Sequence, residues 1–464
     1  MAELLIKGGR VVSPDRTVVA DVAIEGGKIK AIGPNLDIQA SRVVDASGKY
    51  VVPGGVDTHV HLKLPFMGTY TADDYYQGTL AAAFGGTTTV IDFAIQGKGQ
   101  GLIEALENRL AGFEGQAVVD YAMHSVMTDP SDRAMKEIKA LVDAGVPSMK
   151  VFMVYRKEGL MADDAVLLKL CEGAAEHGLL PGVHAENAAM AEYNVDKFLA
   201  EGKTSAIYHA LHKPPVTEAE AINRAIFVAM YVGAGMHIYH MSTKEGVELV
   251  REAREKGKPV YAETCTHYLT LTDQVYERAD GINWICSPPI RKQADIEKMW
   301  EGLRNGWVST VGSDEAAFDS KQKKMGDTFA TVPNGCPGVE LRLPVVFSEG
   351  VSKGRISVEK FVEITSTNGA KMFGLYPQKG IIAEGSDADV VIIDPKVERV
   401  LTYKDLHMAV DWCPLEGWKV QGYPVITICR GEVVVEEGRF LGKTGYGRFV
   451  KGRLDPAILK GPVV

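Results

Sequence analysis

Nowhere in the 464 residues is there an uncharged apolar run of about 18 residues, the length a membrane-crossing helix needs. The opening residues, Met1-Ala-Glu-Leu-Leu-Ile-Lys7, alternate and carry charge early, unlike a secretory leader. Basic residues are outnumbered, 51 against 60 acidic, for a formal charge of −9. That balance argues against a nucleic-acid groove or an anionic membrane as the main partner. Cysteine is scarce. The six (Cys171, Cys265, Cys286, Cys336, Cys413, Cys429) are scattered without a C-x-x-C, and are expected to be free buried thiols in a reducing cytoplasm. Missing too is a G-x-G-x-x-G after a first strand, which weighs against an open dinucleotide-binding sheet. No G-x-S-x-G appears, which disfavours serine-hydrolase chemistry. Repeats and low-complexity tracts are also lacking.

What is present suits a large folded core: 46% hydrophobic and 24% charged residues. An α/β barrel takes roughly 250 residues, so the length allows a barrel plus a smaller domain. Strand-like runs fall at 56–61, 88–93, 118–124, 148–153, 180–186, 236–241, 260–265 and 309–314. Helical patterns lie between them, clearest over 131–144, 163–177, 217–232, 244–256 and 294–305. Eight β-then-α units predict a closed (β/α)8 TIM-type barrel, with reactive groups at the strand C-termini. Short strands recur at both chain ends, over 4–6, 10–12, 21–24 and 28–32, then 388–393, 425–429 and a hairpin over 432–441. They predict a small β-sandwich domain built from both ends. The expected parts are 1–52 and 379–442 for the sandwich, 53–378 for the barrel and 443–464 for an extended arm.

The strand ends carry the chemistry. The first ends in Asp57-Thr-His59-Val-His61. Residues i and i+2 of a strand point the same way, so both imidazoles face one point, and imidazole suits Zn²⁺ and similar ions. Later strand ends add His184, His240 and Asp314. A buried ionised Asp is costly unless it is paired or bound to a cation. Taken singly, His184 or His240 reads equally as a hydrogen-bonded core histidine, but so many ligand types at strand ends point to a metal centre. Lys150 ends the fourth strand. As an ordinary cation it would repel metal ions. Carbamylated by CO2, it gains two oxygens and a negative charge and can bridge two cations. Pairing with a neighbouring acid is the plainer alternative.

The ordered set His59-x-His61, Lys150, His184, His240, Asp314 resembles the D-hydantoinase and dihydropyrimidinase family of cyclic amidohydrolases. Supporting stretches run nearly the whole chain: Pro53-Gly-Gly-Val-Asp-Thr-His-Val-His61, Thr71-Ala-Asp-Asp74, Ala82-Ala-Phe-Gly-Gly-Thr-Thr-Thr89, Lys150-Val-Phe-Met-Val-Tyr155, Glu263-Thr-Cys-Thr-His-Tyr268, Ser287-Pro-Pro-Ile-Arg291 and Pro333-Asn-Gly-Cys-Pro-Gly-Val-Glu340. Near the C-terminus, Gly380-Ile-Ile-Ala-Glu-Gly-Ser-Asp-Ala-Asp-Val-Val-Ile-Ile-Asp-Pro395 resembles that family's return into its β domain.

The resemblance implies two divalent ions, zinc. His59, His61 and Asp314 would hold one and His184 and His240 the other, with the Lys150 carbamate and a hydroxide between them. It implies that the hydroxide opens a hydantoin or dihydropyrimidine ring to an N-carbamoyl amino acid, with Asp314 as general base then acid. Tyr155 would stabilise the oxyanion, and backbone groups of Ser287 and Asn334 would hold the ring edges. As residues alone, Tyr155 could be packing, and Ser287 and Asn334 turn formers. Leu64, Phe66 and Phe152 suggest a greasy pocket for the ring's substituent. A homotetramer is implied, with the C-terminal arm as a candidate for exchange between subunits.

One departure stands out: relatives usually carry His after the Asp, and here Glu315 follows Asp314, which could alter the metal surroundings or the substrate preference. Alternatives are an allantoinase, a dihydroorotase in which Arg291 would meet the substrate carboxylate, and a non-catalytic scaffold of the same lineage. The remaining histidines (His124, His177, His209, His212, His237, His267, His407) read as structural.

Overall fold

Short aliphatic runs in the middle of the chain are buried on both faces, as parallel strands covered by helices must be. Eight of them form one parallel sheet: β1 (Gly55–Val60), β2 (Thr87–Ile95), β3 (Asp120–Val126), β4 (Ser148–Phe152), β5 (Leu180–His184), β6 (Met236–Ile238), β7 (Val260–Cys265) and β8 (Thr310–Gly312). The structure is a computed structural model and describes residues 2–464. Strands pair in chain order from β1 through β8. The ring closes between β8 and β1 through a single parallel bridge, Val60 with Glu315, in which the His61 N–H donates to the Glu315 carbonyl at 2.7 Å. The expected barrel is thus present, and its seam runs beside the strand ends that carry His59, His61 and Asp314.

Local signals set the helices between strands. Asp74, Ser131, Asp163, Asn187 and Thr243 each accept an N–H in the first turn of the helix that follows. Gly145, Gly178 and Gly233 end three helices in left-handed backbone. The helices over Asp132–Ala144, Asp164–His177, Pro215–Val232, Lys244–Glu255 and Gln293–Arg304 match the sequence patterns within about two residues, the usual scatter at helix ends. Tyr75–Phe84 is a further helix. It is buried from Gly78 to Phe84, so it offers no polar face for periodicity to catch.

The chain ends build a nine-stranded sheet. Its junction is the antiparallel pair of Tyr50–Pro53 with Val390–Val400, where Val51 lies opposite Ile392. The sandwich is a single sheet around its own core: Leu4, Ile6, Val22 and Val51 pack with Val390, Ile392 and Ile428. The last residues run along the starts of the barrel strands. Val450 N–H donates to the Tyr121 carbonyl at 2.8 Å, and the Tyr261 hydroxyl donates to the Gly461 carbonyl at 2.6 Å. The arm is therefore pinned to its own barrel.

A buried lysine ties sheet to barrel. Lys379 Nζ lies 2.6 Å from Asp120 Oδ2, 2.7 Å from Asp389 Oδ2 and 3.1 Å from Asp387 Oδ2. Burial alone would strip its proton, but the carboxylates of Asp389, Asp120 and Asp387 more than reverse this and hold the ammonium above the ordinary lysine range. Removing one partner of a buried ion pair strands the others. Lys379→Met should lower unfolding free energy by about 3–5 kcal/mol in urea titration. A loss of only about 1 kcal/mol, the size of an exposed pair, would contradict this.

Candidate metal centre and substrate cavity

Six potential ligands from five strand ends meet at the barrel mouth. His59, on β1, and His61, just past its end, bring their Nε2 atoms to 3.1 Å. Asp314 Oδ1 lies 3.1 Å from His59 Nε2 and 3.4 Å from His61 Nε2. Lys150, on β4, places Nζ 3.1 Å from His59 Nε2. The His240 ring stacks on His59 at 5.3 Å and meets the His184 ring at 4.3 Å. His240 and Asp314 adopt left-handed backbone, φ 38° and 50°. Such conformations cost roughly 1–3 kcal/mol each and persist where the surroundings fix them.

The electrostatics suit a cation. Burial, foremost, holds His59, His61, His184 and His240 below the ordinary histidine range, so their lone pairs are free. His61 Nδ1 and His240 Nδ1 are buried with no hydrogen-bond partner. Lys150 is 1% exposed and ringed by Phe93, Tyr239 and Phe152, with Nζ 4.5, 4.6 and 5.0 Å from their centroids. Its polar neighbour is an imidazole, not an acid, and burial brings its amine down to about 8 against the pull of Asp314 and Glu263. Burial raises the Asp314 carboxyl, but the hydrogen bond with His61 and the positive potential around it, that of Lys150 included, outweigh this and leave it below its ordinary value. A buried cluster of unprotonated nitrogens around an ionised carboxylate, with a lysine poorly supplied with counter-charge, is a donor set fitted to divalent metal.

Groups outside the sequence-derived set orient the candidate ligands. Glu263, on β7 and fully buried, receives His59 Nδ1 at 2.6 Å and the Thr58 hydroxyl. Glu186 Oε2 receives His184 Nε2 at 2.6 Å and Lys213 Nζ at 2.8 Å. Burial raises Glu186, yet Lys213 and His184 together hold it well below the carboxylate range. The signal for Glu263 and Glu186 was their place in or beside buried strands, where an unpaired carboxylate is too costly to stand. Lys213, in a loop, gave none.

A cavity of about 470 Å³ opens over the cluster and is lined by Lys150, His184, His240 and Asp314. That is within the range of small-molecule sites. Leu64, Phe66 and Phe152 form part of its wall, and Tyr155, Ser287 and Asn334 also line it. Tyr155 sits in left-handed backbone, φ 70°. Burial, then the Glu186 charge, raises its phenol, while hydrogen bonds with Ser287 and Asn334 act the other way; it remains a donor at neutral pH. Ser287 commits its hydroxyl to Glu186 Oε2 at 2.9 Å, which leaves its backbone for other partners. Gly335 is required beside Asn334, because a Cβ there would stand 2.2 Å from the Ala316 carbonyl oxygen.

Glu315 does not face this cavity. Its carboxyl accepts the N–H groups of Gly338 and Val339 at 2.6 and 2.7 Å, and burial followed by the neighbouring Asp73 charge holds it protonated well above the usual range. Arg291, the candidate clamp for a substrate carboxylate, is spent on the Lys213 carbonyl, Ser242 Oγ at 3.0 Å and Glu218 at 3.3 Å. His124 lies beneath the cluster, bonded to Ser148 Oγ at 2.6 Å and the Thr58 carbonyl at 3.0 Å. His237 packs on Tyr239 and Phe373.

Comparison with known proteins places this geometry. The sequence model of the Amidohydrolase family matches residues 50–434. A D-hydantoinase of Geobacillus stearothermophilus is 46% identical over 96% of both chains. A dihydropyrimidinase of Rattus norvegicus is 41% identical over 96% of this chain and 88% of its own. The crystal structure of dihydropyrimidinase from Brevibacillus agri superposes with a TM-score of 0.95 at 44% identity, over 97% of this chain and 99% of that one. The chain belongs to the amidohydrolase family. Within it, the chain stands among the cyclic amidohydrolases of D-hydantoinase and dihydropyrimidinase type.

Groups that hydrogen-bond a ligand histidine typically govern metal affinity by about 10–100-fold. Glu263→Gln should weaken retention of divalent metal by about that factor in competition with a chelator. Unchanged retention would mean that Glu263 does not steer His59.

Proposed function

We propose that this enzyme opens a hydantoin or dihydropyrimidine ring to an N-carbamoyl amino acid, using two divalent ions held by these six residues. The observation that carries it is the convergence of His59, His240 and Asp314, with ligand atoms within 4.8 Å of one another, beneath a cavity of about 470 Å³. His59 and His61 with Asp314 would hold one ion and His184 and His240 the other, with Lys150, carbamylated by CO2, as a further ligand to them. Glu186 occupies His184 Nε2, so Nδ1 is that ring's ligating atom. Zinc is the metal that fits imidazole and carboxylate at such a mouth. When bound, such a pair lowers the pKa of water toward about 7 and polarises a carbonyl.

The chain's own groups then divide the work. Tyr155 donates its hydroxyl to the oxygen of the ring carbonyl as the attacking water's C–O bond forms. Asp314 takes that water's proton and returns it to the ring nitrogen as the C–N bond breaks, serving as base and then acid. Backbone groups of Ser287 and Asn334 hold the ring's N–H and C=O edges. Leu64, Phe66 and Phe152 receive an apolar substituent. The commitment of Arg291 elsewhere removes the main support for a dihydroorotase, while an allantoinase keeps the same machinery and differs in substituent alone.

A homotetramer in the cytoplasm completes the reading. Phe227 and Tyr231, one turn apart on Pro215–Val232, are 69% and 82% exposed, a face suited to a second copy. All six cysteines are free and buried, in keeping with a reducing compartment. Among the described residues no helix is long and apolar enough to cross a membrane.

Metal analysis should find about two divalent ions per chain, and Lys150→Ala should lose them. A Lys150→Ala enzyme with normal metal and turnover would end the carbamate assignment. Tyr155→Phe should lower kcat by about 10²–10³, the usual loss for one oxyanion donor. Hydantoin, dihydrouracil, allantoin and dihydroorotate assayed side by side test the ring: the first two should turn over fastest. Phe227→Glu should reduce the assembly's mass in light scattering, and an unchanged mass would move the interface elsewhere.

A further inference from the structure

Lys323 ends a short helix, Ser320–Lys323, and is completely buried without lining the cavity. Its Nζ donates to three main-chain carbonyls, those of Ile285, Pro333 and Gly335, at 2.7, 2.8 and 2.7 Å. An ammonium has three N–H bonds, so all of them are spent on backbone. Burial lowers the amine to about 8, which leaves those protons in place at neutral pH. A buried charge is costly unless dipoles or a counter-ion meet it, and here the carbonyls meet it. Their identity is telling. Ile285 stands two positions before Ser287, while Pro333 and Gly335 flank Asn334. The Gly335 N–H also donates to the Ile285 carbonyl at 2.9 Å. One ammonium thus clamps together the two segments assigned to the edges of the substrate ring.

We propose that Lys323 is a positioning residue for ring recognition: it aims the Asn334 N–H at the ring carbonyl that is not attacked, the one between the two ring nitrogens. A trans peptide points its C=O and N–H in opposite directions. With the Pro333 carbonyl turned onto Lys323, the Asn334 N–H faces away from Lys323, and Asn334 is a residue of the cavity wall. That N–H has no acceptor among the described residues. A cation on the carbonyl oxygen also polarises the same amide, which makes its N–H a stronger donor. Lys323 itself touches no substrate. The choice of ring carbonyl rests on the reading of the reaction given above, whereas the clamp on the two segments does not.

The test compares Lys323→Met with the unaltered enzyme on paired rings: hydantoin against 2-thiohydantoin, and dihydrouracil against its 2-thio analogue. Sulfur there replaces the oxygen of the carbonyl that is not attacked, and it accepts a hydrogen bond poorly. The ratio of kcat/KM, oxygen over sulfur, should fall by about three- to tenfold in the variant, the worth of one hydrogen bond. The intrinsic reactivity of the two rings cancels between the proteins, and a fault of folding or metal loading slows both rings alike. Hydrogen exchange followed by mass spectrometry should quicken at Gly335 and its neighbours. If Lys323→Met fails to fold, Lys323→Gln, which keeps two donors, should give a smaller shift in the same direction. A folded variant with an unaltered ratio overturns the proposal, however slow it is. Where the unaltered enzyme opens none of these rings, quickened exchange at Gly335 in the variant supports the clamp and faults the reading of the reaction; unchanged exchange there overturns the clamp.

Discussion

The burial of unprotonated imidazoles around an ionised carboxylate is the constraint from which the rest of the barrel mouth follows. In water these groups would be protonated or solvated at little cost; the four imidazoles, at 0–7% exposure, are neither. The apolar floor of Phe93, Tyr239 and Phe152 keeps Lys150 from solvent. Glu263 and Glu186 then take the ring nitrogens that point away from the centre. What remains is lone pairs aimed inward, a surplus that a cation relieves. Affinity for metal and exclusion of water are here one property.

Much of this was legible in the residues. The strand runs ending at His61, Lys150, His184, His240 and Asp314 stood out because charged or imidazole side chains interrupted apolar segments. Period-two spacing put His59 and His61 on one side, as the 3.1 Å approach of their Nε2 atoms shows. The small β domain built from both ends was visible as alternating strands, but not the register that joins them in one sheet, since pairing between residues more than 300 positions apart leaves no local trace. The helix Tyr75–Phe84 escaped because burial on nearly all sides erases the periodic stripe.

Other features were illegible for reasons of chemistry. Glu315 looked like an anion set beside the centre. Its side chain instead grips the backbone at Gly338 and Val339 as a protonated acid, and its main chain closes the barrel on β1. Sequence shows the side chain's type, not which way the strand end turns; here the left-handed conformation of Asp314 decides it. Arg291 likewise looked available for a substrate carboxylate until Glu218 and Ser242 claimed it.

The course of residues 443–464 has a mechanical meaning. Crossing below β3 at Tyr121 and below β7 at Tyr261, the tail acts as a hoop round the base of the stave-like strands. Loops at the opposite pole lie outside its grip. Compliance and stiffness are thereby assigned to opposite ends of one cylinder.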